Sequence, residues 1–321
     1  MSSATEVTGA GDPAGRAPAV RAMEPVAKRV EAVVRLSIAA DVARLVSSDP
    51  VARLGEDVEG VHQARVASRR LRSHLATYAD VLRKGPTSRL SRELRWLGRS
   101  LGSVRDLDVL RDRLARSVRA IDPLARADGL ALLRLADEER EGAAEGLEAV
   151  LTSARYTALL ERLARLVTSP PLTPRAADPA TPFFHEVVGA RYAAVRDAID
   201  ALPLAPADTE LHAVRIIAKR ARYAAEAATR VLPPPCGRFA KRVTELCDVL
   251  GDLNDGVRMS QWLDTAATAE PGRVATVARV RTIEIGRMAD ARAGWPATWE
   301  DVRAAAAELG WEPPPDATPS V

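Results

Sequence analysis

The sequence predicts an all-α protein built as two helical halves. Three observations carry that prediction: apolar residues recurring at three- and four-residue spacing, a single long proline-rich break near the middle, and a motif that occurs once in each half. The spacing is plain from the start of the folded part, where Val26, Val30, Val33 and Val34 lead into Ile38, Val42 and Leu45. Alanine, leucine, arginine and glutamate, all good helix formers, dominate the chain. Alternating β-branched runs bounded by turns are missing, so little or no sheet is expected.

In chain order, residues 1–22 are small, polar and proline-rich and read as a disordered tail, as do residues 312–321. Residues 23–168 form the first helical half. A stretch with five prolines, 169–182, cannot continue a helix and reads as a linker. Residues 183–311 form the second half. Within the halves, breaks are expected at Asp49-Pro50, Gly85-Pro86, Asp122-Pro123, Leu202-Pro203, Pro233 to Pro235, Pro271-Gly272 and Pro296. The rods between them are long enough to pack helix on helix in bundles.

Composition narrows the function. The 321 residues carry 46 Lys+Arg against 43 Asp+Glu, a net charge of +3, and only four of the cations are lysine. With 47% hydrophobic residues the chain can bury a sizeable core, so it is not disordered throughout. No apolar run approaches the ~20 residues of a membrane span, and no basic-then-apolar leader is visible, so a cytoplasmic address is expected. Two cysteines, Cys236 and Cys247, are too few for a disulfide framework and form no CxxC pair. GC-rich coding accounts for much of an arginine-for-lysine bias, so what matters is where the arginines fall.

They fall in a repeat. Val61-His-Gln-Ala-Arg-Val-Ala-Ser-Arg-Arg-Leu-Arg72 stands against Leu211-His-Ala-Val-Arg-Ile-Ile-Ala-Lys-Arg-Ala-Arg222, each pair 150 positions apart. Leu101-Gly-Ser-Val-Arg-Asp106 then matches Leu250-Gly-Asp-Leu-Asn-Asp255 at an offset of 149, and Arg89 and Arg92 fall on Arg238 and Lys241. On a helix with His62 at zero, Arg65, Arg69 and Arg72 lie between about 280° and 340°. Val61, Ala64, Leu71, Leu75 and Tyr78 occupy another arc, from about 160° to 260°. His212, Arg215, Lys219 and Arg222 repeat the basic arc, and Leu211, Val214, Ala218, Ala221 and Ala225 the apolar one. Arg70 and Arg220 lie on the far flank of the basic face. Neither twelve-residue block contains an acid. A solvated face with salt bridges to neighbouring helices explains one such stripe. Two in register point to use, because arginine forks chelate phosphate bidentately and several in a row suit an extended polyphosphate.

These residues resemble a known family. His62-x-x-Arg65-x-x-x-Arg69-Arg70-x-Arg72, followed by Leu101-Gly-x-x-Arg-Asp-Leu-Asp-Val109, is similar to the CHAD (conserved histidine α-helical domain) family, and the second copies resemble that family's own duplication. The resemblance covers roughly residues 23–309. It implies two pseudo-symmetric helical bundles around a basic central cavity that binds inorganic polyphosphate, with association to polyphosphate or storage granules in some members. Carried over, the binding residues are His62, Arg65, Arg69, Arg70, Arg72, His212, Arg215, Lys219, Arg220 and Arg222. Arg92 and Lys241 add to the wall. Lys28, Arg29, Arg35 and Arg191 are further candidates on the first helix of each half, where the correspondence is loose. Arg105 faces Asn254 in the second copy and is not expected to contact ligand.

An enzyme, a metal site and a nucleic-acid binder are the competing readings. No Walker loop, HExxH or carboxylate cluster for Mg²⁺ is present, so no catalytic residues and no cofactor are expected. Histidines among arginines make a poor divalent-cation site, so no metal is expected, although metal-chelating histidines in an accessory module of phosphate metabolism stay open as an alternative. His74 and His185, which have no repeat counterparts, read as packing or surface residues. Aromatics at 4% leave no stacking platform for single strands, and the acidic stretch Asp137 to Glu148 would repel a duplex. Asp106 and Asp255 read as helix caps or partners of stripe arginines.

Overall fold

The computed structural model describes residues 28–54 and 58–312. The expected N-terminal tail lies outside the described residues, as does the C-terminal one except for Glu312. Among the described residues there are nine α-helices and no strand: α1 (Val30–Leu54), α2 (Val58–Thr77), α3 (Lys84–Ala120), α4 (Arg126–Leu151), α5 (Ala154–Thr168), α6 (Ala180–Asp200), α7 (Asp208–Ala228), α8 (Pro235–Ala269) and α9 (Val274–Ala307). Element order repeats across the break, with α2 and α7 of 20 and 21 residues and α3 and α8 of 37 and 35. The fifth helix, α5, has no counterpart.

The apolar arcs drawn from the repeat are the ones that pack. Val61, Ala64, Leu71, Leu75 and Tyr78 of the first copy and Leu211, Val214, Ala218, Ala221 and Ala225 of the second are all buried. Prolines at 233–235 and 271 end helices as expected, and Pro86 falls in the first turn of α3, where its missing N–H costs nothing. Two do not break anything. Pro50 sits near the end of α1, and Pro296 inside α9, with helix continuing on both sides. Neighbouring turns and packing hold the backbone where local propensity alone would interrupt it.

The proline-rich segment is stitched to the first half. Val30 N donates to Asp178 O at 3.1 Å and Ala180 N to Lys28 O at 3.0 Å, while Arg83 N donates to Pro171 O and Thr173 N to Val81 O, both at 2.8 Å. A short 3-10 turn, Pro174–Ala177, lies within it, and helix resumes at Ala180.

Two cores hold the molecule. The larger joins α1 to α3 and the end of α4 with α5 to α8 and the end of α9. A second contains Leu114 and Val118 of α3, Leu132 and Ala136 of α4, Met259 and Leu263 of α8, and Val277 and Val280 of α9, so it draws on both halves. Beside it, fully buried Glu284 of α9 accepts hydrogen bonds from Arg113 and Ser117 of α3 and from Arg287. The halves therefore share apolar and charged interiors. The basic helices α2 and α7 touch along this seam.

Candidate functional site

Where α2 meets α7, a cavity of about 510 Å³ opens between them, α3 and α6. Its cations are Arg69 and Arg72 of α2, Arg95 of α3, Arg191 of α6, and Arg215, Lys219 and Arg220 of α7. No carboxylate lines it. Ser73, Ser91 and Tyr223 add hydroxyls to the wall.

Crowding shows in the electrostatics. Burial, reinforced by Arg69 and Arg215, drives the Lys219 ammonium down to about 7. Arg72 is held below its ordinary value by burial and then by Arg95, Arg69 and Arg220, and Arg191 by burial and Arg220. Arg215 is lowered by burial, with Asp255 opposing. The guanidiniums stay charged at neutral pH regardless. Six guanidiniums and the Lys219 ammonium thus share one cavity with no carboxylate in its lining to offset them.

Glycines in the second motif set this arrangement. Both α3 and α8 run straight through Gly102 and Gly251, so Asp106 and Asp255 lie inside helices and are not helix caps. A Cβ on Gly102 would lie 2.6 Å from Arg65 Nη1, and one on Gly251 would lie 3.1 Å from Arg215 Nη2. The absent side chain lets the arginine of each basic helix lie across the neighbouring helix. Asp106 then pairs with Arg65 at 3.0 Å and with Arg258 at 2.6 Å. Arg215 Nε donates to Cys247 O at 3.4 Å.

The acid-free stripes acquire acids from elsewhere. Glu226, four residues beyond the second block, bonds Arg70 across the seam and lies 3.4 Å from Arg222. Tyr223 is buried under three guanidiniums, with Arg69, Arg70 and Arg222 at 5.8, 5.9 and 4.7 Å from its ring centre. Arg222 Nη2 also donates to the Tyr223 hydroxyl at 3.0 Å. Arg70 thus ties α2 to α7 through Glu226, Arg222 stays within α7, and neither lines the cavity.

Of the sixteen expected binding residues, Arg69, Arg72, Arg191, Arg215, Lys219 and Arg220 meet in the cavity. Arg65 lines a second, adjoining cavity, and Arg92 a third that shares Arg95 and Ser91 with the first. The remaining eight, Arg70 and Arg222 among them, line none of the three. His62 is half-buried, with its pKa lowered by burial and then by Arg105, and His212 is exposed. Lys241 is exposed near Glu245. Arg35 pairs with Glu31 at 2.7 Å, Arg29 donates to Ala177 O at 2.6 Å, and Lys28 is exposed. The first-helix candidates were placed on loose correspondence, and of the four only Arg191 of α6 lines the cavity. His74 is buried against Asp41 at 2.9 Å and stacks on Tyr78, and His185 meets Leu309 O at 3.0 Å, so both are packing residues. Among the described residues no cluster of three or more His, Cys, Asp or Glu is placed to hold a metal ion.

Sequence reasoning missed Arg95 and Tyr223. Arg95 stands one turn after Arg92 on the same helix, a signal that was there to use. Tyr223 follows the second block directly, opposite Ser73 of the first, so the pattern of matched positions passes over it.

A CHAD domain family model matches residues 37–264. The chain belongs to the CHAD domain family. Two uncharacterized proteins of Mycobacterium tuberculosis, from strains CDC 1551 / Oshkosh and ATCC 25618 / H37Rv, are each 30% identical over 247 residues, 74% of this chain and 46% of theirs. The chain therefore spans about half the length of these curated relatives. Among solved structures, the CHAD domain of the plant Ricinus communis superposes with a TM-score of 0.71 at 26% identity, covering 90% of this chain and 98% of that one. PptA from Streptomyces chartreusis gives a TM-score of 0.71 at 20% identity, over 85% of this chain and all of that one, a likeness of fold. This CHAD domain has no described helix long and apolar enough to cross a membrane.

Proposed function

We propose that this CHAD domain binds inorganic polyphosphate in the cavity between α2 and α7 and does no chemistry on it. The observation that carries the reading is seven cations, drawn from four helices and both halves, around one cavity with no carboxylate. Membership of the CHAD family, associated with polyphosphate, supports it. Arginine forks suit the repeated, closely spaced oxygens of a phosphoanhydride chain, and a concave site excludes a duplex that a flat basic face would accept. Retention without turnover fits a role in storage, sensing or attachment to polyphosphate granules in the cytoplasm, where buried, unpaired Cys236 and Cys247 would stay reduced.

Reversal of one cation on each side of the seam is the test. Arg69→Glu with Lys219→Glu is expected to lower polyphosphate affinity at least about a hundredfold, since each reversal removes a charge-assisted contact worth ~1.5–3 kcal/mol. Calorimetric titration measures the loss, and far-UV circular dichroism checks that the helices persist. Wild-type affinity in a folded double variant would refute the site.

A further inference from the structure

Of the two adjoining cavities, the larger is not the more cationic. A space of about 830 Å³ lies between α3 and α8, beyond the basic cavity, and its charged lining is Arg65, Arg99, Arg113, Arg258, Asp106 and Asp255. Its position along the helices matters. On α2, Arg72 and Arg69 face the first cavity and Arg65, one turn on from Arg69, faces the second. On α3, Arg95 faces the first and Arg99 the second, about 6 Å further along the axis. The two ladders run side by side: Arg95 and Arg99 both depress the Arg72 guanidinium, and a Cβ at intervening Gly98 would lie 4.0 Å from Arg72 Nη1. Cations thus continue without interruption from one cavity into the next.

Charge pairing in the second cavity is incomplete. Asp106 is shared by Arg65 and Arg258, leaving the two guanidiniums one carboxylate between them. Arg99 is exposed and has no carboxylate partner among the described residues. Arg113 is buried against Glu284, yet its Nη2 has no hydrogen-bond partner among the described residues. Four cations against two carboxylates leave a weaker positive field than in the first cavity, in a larger space.

We propose that this second cavity is an outer subsite for the same polyanion, where Arg99 and Arg258 receive phosphates that extend beyond the basic cavity; the inference rests on polyphosphate being the ligand there. A short chain fills the first cavity alone. A long one reaches the second, competing with Asp106 for Arg258.

Titration of tripolyphosphate and of long-chain polyphosphate into the wild type, Arg99→Gln/Arg258→Gln and a control, Arg119→Gln/Arg279→Gln, tests this. The control loses the same charge at exposed positions outside both cavities. The Arg99/Arg258 variant should lose about tenfold in affinity for the long chain, the worth of two half-exposed charge contacts. Its tripolyphosphate affinity should stay within about twofold of wild type, and the control should match wild type for both ligands at moderate salt. Equal losses for both ligands, a matching loss in the control, or an unchanged long-chain affinity would each overturn the subsite. Failure of the wild type to bind either ligand would instead remove the proposed function itself.

Discussion

Lys219 is the side chain whose chemistry departs furthest from its ordinary behaviour at this site. Arg69 of α2, Arg215 and Arg222 of α7 press on it, and the nearest opposing groups, Cys247 and Asp248 of α8, do not offset burial. Its folded value of about 7 lies below the ordinary 10.5, so the unfolded chain holds more protons between those limits. Stability should accordingly rise with pH across that window as this contribution changes. A phosphate chain favours the ammonium, so binding takes up a proton and affinity falls as pH rises through neutrality. Calorimetry in buffers of different ionisation enthalpy should show net proton uptake near pH 8. Lys219→Arg should abolish that uptake while keeping affinity, and uptake that persists in this variant would assign it elsewhere. The repeat made Lys219 visible because it stands opposite Arg69. Its depressed pKa was not legible, because it depends on guanidiniums that only the seam brings close.

At the scale of the helix, sequence showed faces and folding showed partners. The periodicity of α2 and α7 placed their buried and basic arcs correctly, since both follow from 3.6 residues per turn. What lies across from each arc depends on tertiary packing. Glu226 lies outside the matched block and Asp106 on another helix, yet they neutralise Arg70, Arg222 and Arg65. Gly102 and Gly251, matched by the repeat without an assigned role, serve as clearances inside continuous helices. One buried tie between elements involves residues that no motif marked. Fully buried Glu284 on α9 bonds Arg113 and Ser117 on α3. Glu284→Ala should destabilise the fold by about 3–5 kcal/mol, because it leaves the Arg113 charge buried without its partner. Urea denaturation measures this, and a loss below about 1 kcal/mol would show that Arg113 finds another partner or water.

For the whole molecule, the near balance of 46 basic and 43 acidic residues hides segregation. Acids pair with arginines over much of the surface, whereas the cavity at the seam keeps seven cations together. The folded chain therefore gathers unpaired positive charge at one seam of an otherwise nearly neutral body, which on the proposed reading gives weak long-range pull on nucleic acid. Both halves supply the site and both supply each core, so binding should stabilise the protein as a unit. The affinity should fall steeply with salt, with a log–log slope on the order of −5 for a flexible chain that engages all seven cations. The most direct measurement is a titration with polyphosphates of defined length at fixed ionic strength, in competition with duplex DNA. Affinity that climbs with chain length and withstands excess DNA is the predicted result. Affinity that is indifferent to length, or that DNA abolishes at equal phosphate concentration, would contradict a site built for polyphosphate.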